Sequence, residues 1–553
     1  MLRKSLLCVT LLGLAAMPAV AQEGKTPPTV TMQIRSFEDL ISTVNTVSKT
    51  IGKEEFAEQL DDLIKLYAGE KGLEGVDPKR PWGLYVKLGE DLGSVSAVAM
   101  LPVSDKKALL DLLENLNFPA KKNEAGLYVV RIPDQFFDIG IRFANKYAYI
   151  TGLNLDVLAP DKLATPGQVF ALGKPGLLQA TVRVNQIPKA FKDIAISKLE
   201  EGVTEEKGKL APGATDLQIR LRNQVIDTTF QQAVEFLRNG QEVTMAFDVD
   251  AAKKEITTSM TVDATKGSKL AKDIAYVSSM KTAFGSLAKM DGAIHAFARM
   301  SLPQDIKKAA IPAIEEAMEI AVEKERNPQK RKAIDMVLKA LKPSLTSGEL
   351  DKGVVIQTHD SGRITAVAAV GMVKGKAVET VLKQFLNNKF VPERDRAKFS
   401  LDVAKVGSTN IHRLNVQDTY DDDARRLLGD NPVYFAVNDD ALVIAVGEGG
   451  MKAIKTALLS KSAPAEPLTI NIDVAKAIET FADDPKQKAV ARKVFNKTNP
   501  GYIKVRITGG KQLSITTRSS LSLLQAGAAY ESFQFDVRNN PGPVAPVVTV
   551  IRP

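Results

Sequence analysis

One order of sequence patterns occurs twice along this chain, so any fold it adopts has to bury two copies of the same amphipathic design. Residues 95–113, VSAVAMLPVSDKKALLDLL, align with residues 364–382, ITAVAAVGMVKGKAVETVL, placing Ala97 on Ala366, Lys107 on Lys376 and Leu113 on Leu382. Each copy reads as a buried strand running into an amphipathic helix. The segment from Ile141, IRFANKYAYITG, matches YFAVNDDALVIAVG from Tyr434 in pattern. Both give a strand, a polar turn (Asn145-Lys146 or Asn438-Asp439-Asp440), a second strand and a glycine, Gly152 or Gly447. LLQATVRV from Leu177 stands opposite PLTINIDV from Pro467, and the alternating hairpin from Val243 opposite the one from Tyr502.

Within each half an opening strand, one or two helices, a hairpin and a closing helix are used twice, in units that begin near Val30, Leu177, Ala293 and Leu468. Apolar residues at helical spacing, Phe56, Leu60, Leu63, Ile64 and Tyr67 in one connection and Ile311, Ile314, Met318, Ala321 and Val322 in another, mark amphipathic helices between the strands. The expected fold is α+β and internally duplicated, with antiparallel sheets and helices packed on one face. The first half spans 29–291, with units near 30–118 and 177–290 around an inserted block at 119–173. The second spans 292–532, with units near 293–386 and 468–532 around a block at 387–463. Each block holds the second hairpin and reads as a lobe. Such halves either line a groove between them or join edge to edge, and the pattern is compatible with both.

The ends differ in kind. Arg3 and Lys4 precede an apolar run from Leu6 to Met17, followed by Ala19 and Ala21, the pattern of a signal peptide over residues 1–21 with a linker at 22–28. The run is shorter than the ~20 residues that cross a bilayer and stops at Pro18. Cys8, the single cysteine, falls inside that segment, so the expected mature chain is thiol-free, exported, and resident in the periplasm or outside the cell. In the tail, 533–553, Pro541, Pro543, Pro546 and Pro553 favour extended or polyproline backbone, a loose end or a VVTVI strand able to add to a sheet edge. No later stretch has the length of a transmembrane helix; the runs around Val370 and Ile444 have strand length.

Removal of Arg3 and Lys4 leaves 72 basic against 65 acidic residues, interspersed and without a basic stripe carrying aromatics, which excludes a nucleic-acid surface from the expectation. His295, His359 and His412 stand in separate segments with no second ligand at metal spacing. Asp418, Asp421, Asp422 and Asp423 form the densest acidic run; they lack the glycine and distal glutamate of an EF-hand and precede ARRLL, so they read first as helix-capping acids and only as a weak calcium candidate. GMVKGKA at 371–377 has three residues between its glycines and Ala377 where a phosphate loop needs Ser or Thr. GEGGMKAI at 447–454 puts Lys452 at the third glycine position of a dinucleotide loop, and a tight strand-to-helix turn explains it. Ser104/Lys107 and Ser286/Lys289 satisfy S-x-x-K without the companion motifs of acyl transfer. Trp82, the single tryptophan, follows Pro81 and reads as a packing anchor. No catalytic residue, cofactor or metal is therefore assigned.

The phrases IRFANKYAYITG, FAVNDDALVIAVGEGGMKAIKTAL, PWGLYVKL and AVAMLPVSDKKALLDLL resemble exported bacterial proteins of unknown function, notably those of planctomycete-like bacteria. The resemblance implies an envelope or periplasmic protein of tandem α+β modules and brings no catalytic residue with it. Three functional expectations follow, in order: a non-enzymatic binding or scaffold protein that uses sheet faces or edges; a carrier of a lipid or other apolar ligand in a groove between the halves; and a hydrolase whose site is assembled from distant residues. The implied partner is an envelope protein or an apolar ligand.

Overall fold

The computed structural model describes residues 27–68, 73–91, 95–131, 138–152, 154–171, 175–209, 213–285, 287–387, 391–459, 463–464 and 466–539. The signal-peptide pattern with Cys8, Ser286, and the tail from residue 540 with its VVTVI segment lie outside the described residues.

The first half runs β1 (Val30–Ile34), α1 (Phe37–Ile51), α2 (Glu55–Ala68), β2 (Trp82–Leu88), β3 (Val95–Pro102), α3 (Lys106–Asn115), β4 (Ala120–Lys122), β5 (Tyr128–Arg131), β6 (Asp138–Ala144) and β7 (Tyr147–Thr151). It continues through α4 (Pro166–Val169), β8 (Leu178–Arg183), α5 (Lys189–Gly208), α6 (Asp216–Asn239), β9 (Gly240–Asp250), β10 (Glu255–Ala264) and α7 (Lys269–Val277). The second half runs β11 (Ile294–Ser301), α8 (Gln304–Glu323), α9 (Pro328–Leu345), β12 (Glu349–Thr358), β13 (Ile364–Gly371), α10 (Gly375–Leu386), α11 (Glu393–Arg396), β14 (Phe399–Val406) and β15 (Thr409–Leu414). Its last part is α12 (Asp422–Leu428), β16 (Val433–Val437), β17 (Ala441–Gly447), α13 (Gly450–Leu458), β18 (Leu468–Asp473), α14 (Val474–Phe481), α15 (Pro485–Val494), β19 (Tyr502–Thr508), β20 (Leu513–Ser520) and α16 (Ser522–Asn539).

Local chemistry sets these boundaries. Ser36 starts α1 by accepting the Asp39 N–H at 2.9 Å, and Gly52, at φ +68°, ends it. Thr215 and Gln218 form a capping box on α6. The turn between β6 and β7 puts Asn145 and Lys146 at φ +52° and +63°, the left-handed pair that a two-residue hairpin needs. α16 continues to Asn539, so residues 533–539, which the sequence pattern placed in the tail, are helical.

Among the described residues, these strands make one twenty-stranded antiparallel sheet. From one edge the order is β4-β5-β6-β7-β3-β2-β1-β8-β9-β10. It then crosses to β20-β19-β18-β11-β12-β13-β17-β16-β15-β14. The halves therefore meet edge to edge along β10 and β20, with Glu255 opposite Ser520 and Val262 opposite Leu513. Away from that seam the strand order of one half is the order of the other with ten added to each label, and the four pairs of matching sequence segments fall on corresponding strands. The inserted blocks supply the outer strands of this same sheet, β4–β7 and β14–β17.

The packed cores lie in the outer strands and among the helices. In the first wing Tyr85, Met100 and Tyr149 pack one face of the sheet on Leu158, Ala164 and Phe170, and on the opposite face α3 covers Ile141 and Ala148 through Leu109 and Leu112. In the second, Ile454 and Ala457 of α13 cover Val367 and Val443. α14, α15 and α16 form a separate cluster around Val494 and Phe495. None of these clusters takes a residue from β1, β8, β9, β10, β18, β19 or β20. Helices bridge the seam instead, α16 against α1 and α6 against α8.

Candidate apolar groove and the buried histidine cluster

Side chains alternate across a strand, so the register alone says which residues share a face of the central sheet. On one face Thr31, Thr181, Thr244, Thr261, Ser514 and Thr508 stand directly opposite one another across β1, β8, β9, β10, β20 and β19. The Thr181 and Thr244 hydroxyls hydrogen-bond at 3.0 Å. The opposite face is hydrocarbon. There Leu84, Met32, Ala180, Met245, Met260 and Ile515 form one row from β2 to β20. Val86, Val30, Val182, Val243, Val262 and Leu513 form a parallel one.

Burial inverts what these compositions would suggest. Thr31, Gln33 and Thr181, on the hydroxyl face, are buried, Gln33 accepting the Ala171 N–H at 2.7 Å. Met32, Leu178 and Met245, on the hydrocarbon face, are 40%, 41% and 55% exposed. The exposed strip floors a groove of about 610 Å³ lined by strand residues alone, from Ala99 on β3 to Thr258 on β10. Trp82 stands at its end, edge-on to Phe37 at 6.4 Å between ring centres, with an indole N–H that is buried and unpartnered. The single tryptophan is thus an anchor as expected from sequence, and also part of the groove wall.

One constellation of ionisable groups is built in the second half. His412 on β15 is fully buried and stacks near Phe435 of β16 at 5.1 Å. Its Nδ1 accepts the Asp402 N–H at 3.1 Å, and its Nε2 lies 3.3 Å from Glu379 Oε1 on α10, off the line of a hydrogen bond. Asp402 sits at φ +55° inside an irregularity of the β14–β15 pairing, which aims its N–H at the ring. Glu379, Asp402 and His412 bring ligand-type atoms within 4.8 Å of one another, the only such trio among the described residues. It is a poor metal site. An Nδ1 that accepts a backbone N–H leaves the ring proton on Nε2, the atom a metal would need, and metal-bound histidines donate their other ring N–H. Lys383 already occupies the centre, 2.8 Å from Glu379 and 2.9 Å from Asp402.

The cluster is therefore an ion-paired lock over a neutral histidine. Burial pushes the His412 imidazole below its ordinary value, against the opposing pull of Glu379 and Asp402. Burial would raise Glu379, but hydrogen bonds from Lys383 and Asn410 outweigh it and hold the carboxyl low. The unfolded chain takes up a proton at His412 near pH ~6.5, where the folded chain does not, so this stabilisation is complete above that pH and is lost as pH falls below it. Glu379 adds a further loss below pH ~4.3. Thermal unfolding between pH 7.5 and 5.5 (about one unit either side of the free imidazole value) is expected to fall more steeply in the wild type than in His412→Asn, whose side-chain oxygen can still accept the Asp402 N–H. Equal slopes would show that this ring does not titrate on unfolding.

The other residues singled out by sequence are structural and dispersed. Asp421 caps α12 by accepting the Ala424 N–H at 2.8 Å; Asp422 and Asp423 lie in its first turn, Asp423 3.4 Å from Arg426, while Asp418 pairs with Lys398 at 3.6 Å. The four acids are not brought together around a common point. His295 bonds the Met290 carbonyl and His359 the Thr365 hydroxyl, each at 2.7 Å. The Ser104 hydroxyl donates to the Val76 carbonyl. Gly375 and Gly447 are glycines because a Cβ would lie 2.0 Å from the Asn438 and Ile364 carbonyl oxygens, and Gly447 also has φ +98°. No helix among the described residues is long and apolar enough to cross a membrane. Sequence reasoning missed the Glu379–Lys383–Asp402–His412 cluster, for which only the i,i+4 pair on α10 was a local signal, and it missed the open apolar face. Comparison with known protein families, curated proteins and solved structures finds no match for this chain.

Proposed function

We propose that this chain is an exported, non-enzymatic carrier of lipid, holding acyl chains against the bare hydrocarbon face of its central sheet, and that its two halves arose by internal duplication. The observation that carries the reading is the exposure of Met32, Leu178 and Met245 on a groove floor whose rows are almost wholly aliphatic. Leaving such a surface in water is unfavourable by about 25 cal/mol per Å², so an occupant that covers it is stabilised in proportion to the area covered. The floor's side chains offer almost no donor or acceptor. A protein segment laid there would have to satisfy its own backbone groups, whereas an acyl chain has none to satisfy. Methionines at 32 and 245 add unbranched, adaptable contact suited to chains of varied shape. The groove's volume falls within the ordinary range for small-molecule sites, roughly 300–1,000 Å³. Identical strand order on the two sides of the seam supports the duplication.

A scaffold role is the second reading, favoured by a sheet that runs edge to edge through both halves and leaves an exposed apolar face to offer a partner. The two separate cleanly in experiment. Trp82 in the groove wall makes the protein its own reporter: adding oleate to delipidated mature protein is expected to shift tryptophan emission to the blue and to saturate. No spectral change, together with no lipid mass released from protein purified out of its own envelope, would overturn the carrier reading in favour of the scaffold.

A further inference from the structure

The hydrocarbon floor does not stop where the first half ends. Beyond Met260 and Ile515 the same row continues through Ile507, Leu468 and Ala298 on β19, β18 and β11, to Lys352 and Val370 on β12 and β13. Alongside it Val505, Ile470, Ala296, Val354 and Ala368 form a second aliphatic row. At the far side Met300, Val354 and Val370 are 45%, 37% and 36% exposed, the counterpart of the exposed patch in the first half. At the seam itself Met260 and Ile515 are partly exposed and belong to no packed cluster. The polar exceptions are Thr258 opposite Thr517 beside the seam and the exposed Lys352 on β12.

Geometry then bears on the ligand. From β2 to β13 the floor crosses ten inter-strand gaps, about 48 Å at ~4.8 Å per gap. The hydrocarbon of a bilayer is about 30 Å, so one acyl chain reaches about half of that, and the two chains of one lipid reach the whole of it when splayed in opposite directions from their headgroup. A single fatty acid would leave most of the floor bare. We infer that the ligand is a lipid with at least two acyl chains, laid across the β10–β20 seam so that both halves contact it. This deepens the carrier reading and rests on it. It gives a role to the β10–β20 seam, the part of the floor that a single-chain ligand does not need.

The test compares dioleoyl phosphatidylglycerol with oleate on the full mature protein, delipidated and read by Trp82 emission, with the bound mass checked by native mass spectrometry. The wild type is expected to bind one diacyl lipid at least about tenfold more tightly than oleate, since the second chain adds apolar contact. Ile515→Asp, which puts a carboxylate on the seam row, is expected to shrink that preference to about threefold or less, because the carboxylate strips the second chain of its contact. Should that variant unfold, Met260→Gln keeps the side-chain length and is expected to act in the same direction. If oleate and the diacyl lipid bind equally well, or if the folded seam variants keep the full preference, the ligand lies within the first half alone and the seam inference is wrong while the carrier reading stands. If neither binds, both fall.

Discussion

Met245→Asp is expected to abolish acyl-chain binding while leaving the fold in place. Met245 is the most exposed of the three floor residues, and it sits between Ala180 and Met260 in the middle of the row that runs across β8, β9 and β10. A carboxylate there stays solvated in the empty protein, so the folded state is barely affected. Once hydrocarbon lies on it, the carboxylate must be desolvated with no partner, which costs several kcal/mol. A loss of at least a hundredfold in oleate affinity is expected, about 2.7 kcal/mol, with a thermal midpoint within a few degrees of wild type. Fluorescence titration together with a melting curve checks both halves of the statement. Affinity within threefold of wild type, a difference of about 0.7 kcal/mol, would place the ligand elsewhere.

Asp351→Ala should produce the largest loss of stability of any single change considered for this chain. Asp351 on β12 is only 6% exposed, and its carboxylate accepts the Thr282 hydroxyl at 2.8 Å and the Ala283 N–H at 2.9 Å. Arg299 and its ion pair with Glu349 lie alongside, Arg299 at 3.9 Å from Asp351 and 3.1 Å from Glu349. Thr282 and Ala283 belong to the connection between the halves, which also pairs in a two-residue antiparallel bridge with Ala463–Pro464. One buried side chain therefore pins the linker to the second half, and helps place the first half at the seam. Alanine removes both bonds, leaving the buried Thr282 hydroxyl without an acceptor and the half-buried Ala283 N–H without a partner, for an expected loss of about 3 kcal/mol. Urea unfolding measures it, and amide exchange at Ala283 locates it. A change below about 1 kcal/mol would mean that the linker's own Phe284 and Leu287, packed into the core of the second half, are enough to hold it.

Much of the architecture was legible because its causes are local. Alternation at Val30–Ile34, Leu178–Arg183 and Leu513–Ser520 marks strands, the Asn145-Lys146 pair marks a hairpin, and the recurrence of strand-plus-helix at 95–113 and 364–382 places matching elements in the two halves. The acids before ARRLL cap a helix because one-turn electrostatics and a single side-chain bond need nothing farther away. The His412 cluster, in contrast, draws on α10, β14 and β15 at once, and no spacing in the chain brings Glu379 and Asp402 to the ring. Likewise the glycines at 375 and 447 answer to backbone oxygens of other segments, so a motif search could only dismiss a phosphate or dinucleotide loop without saying what the residues are for.

What the sequence determined by itself is the content of each half: which residues are strand, which helix, and which side chains share a face, since these follow from periods of two and 3.6 and from caps and turns that act within a few residues. Tertiary structure alone decided how the halves are joined and which face is left open. Both depend on pairing energies that are nearly the same for any free strand edge, so the choice of β10 against β20, and of a groove floor rather than a covered core at Met32, Leu178 and Met245, is made by long-range packing and not by the residues that bear it.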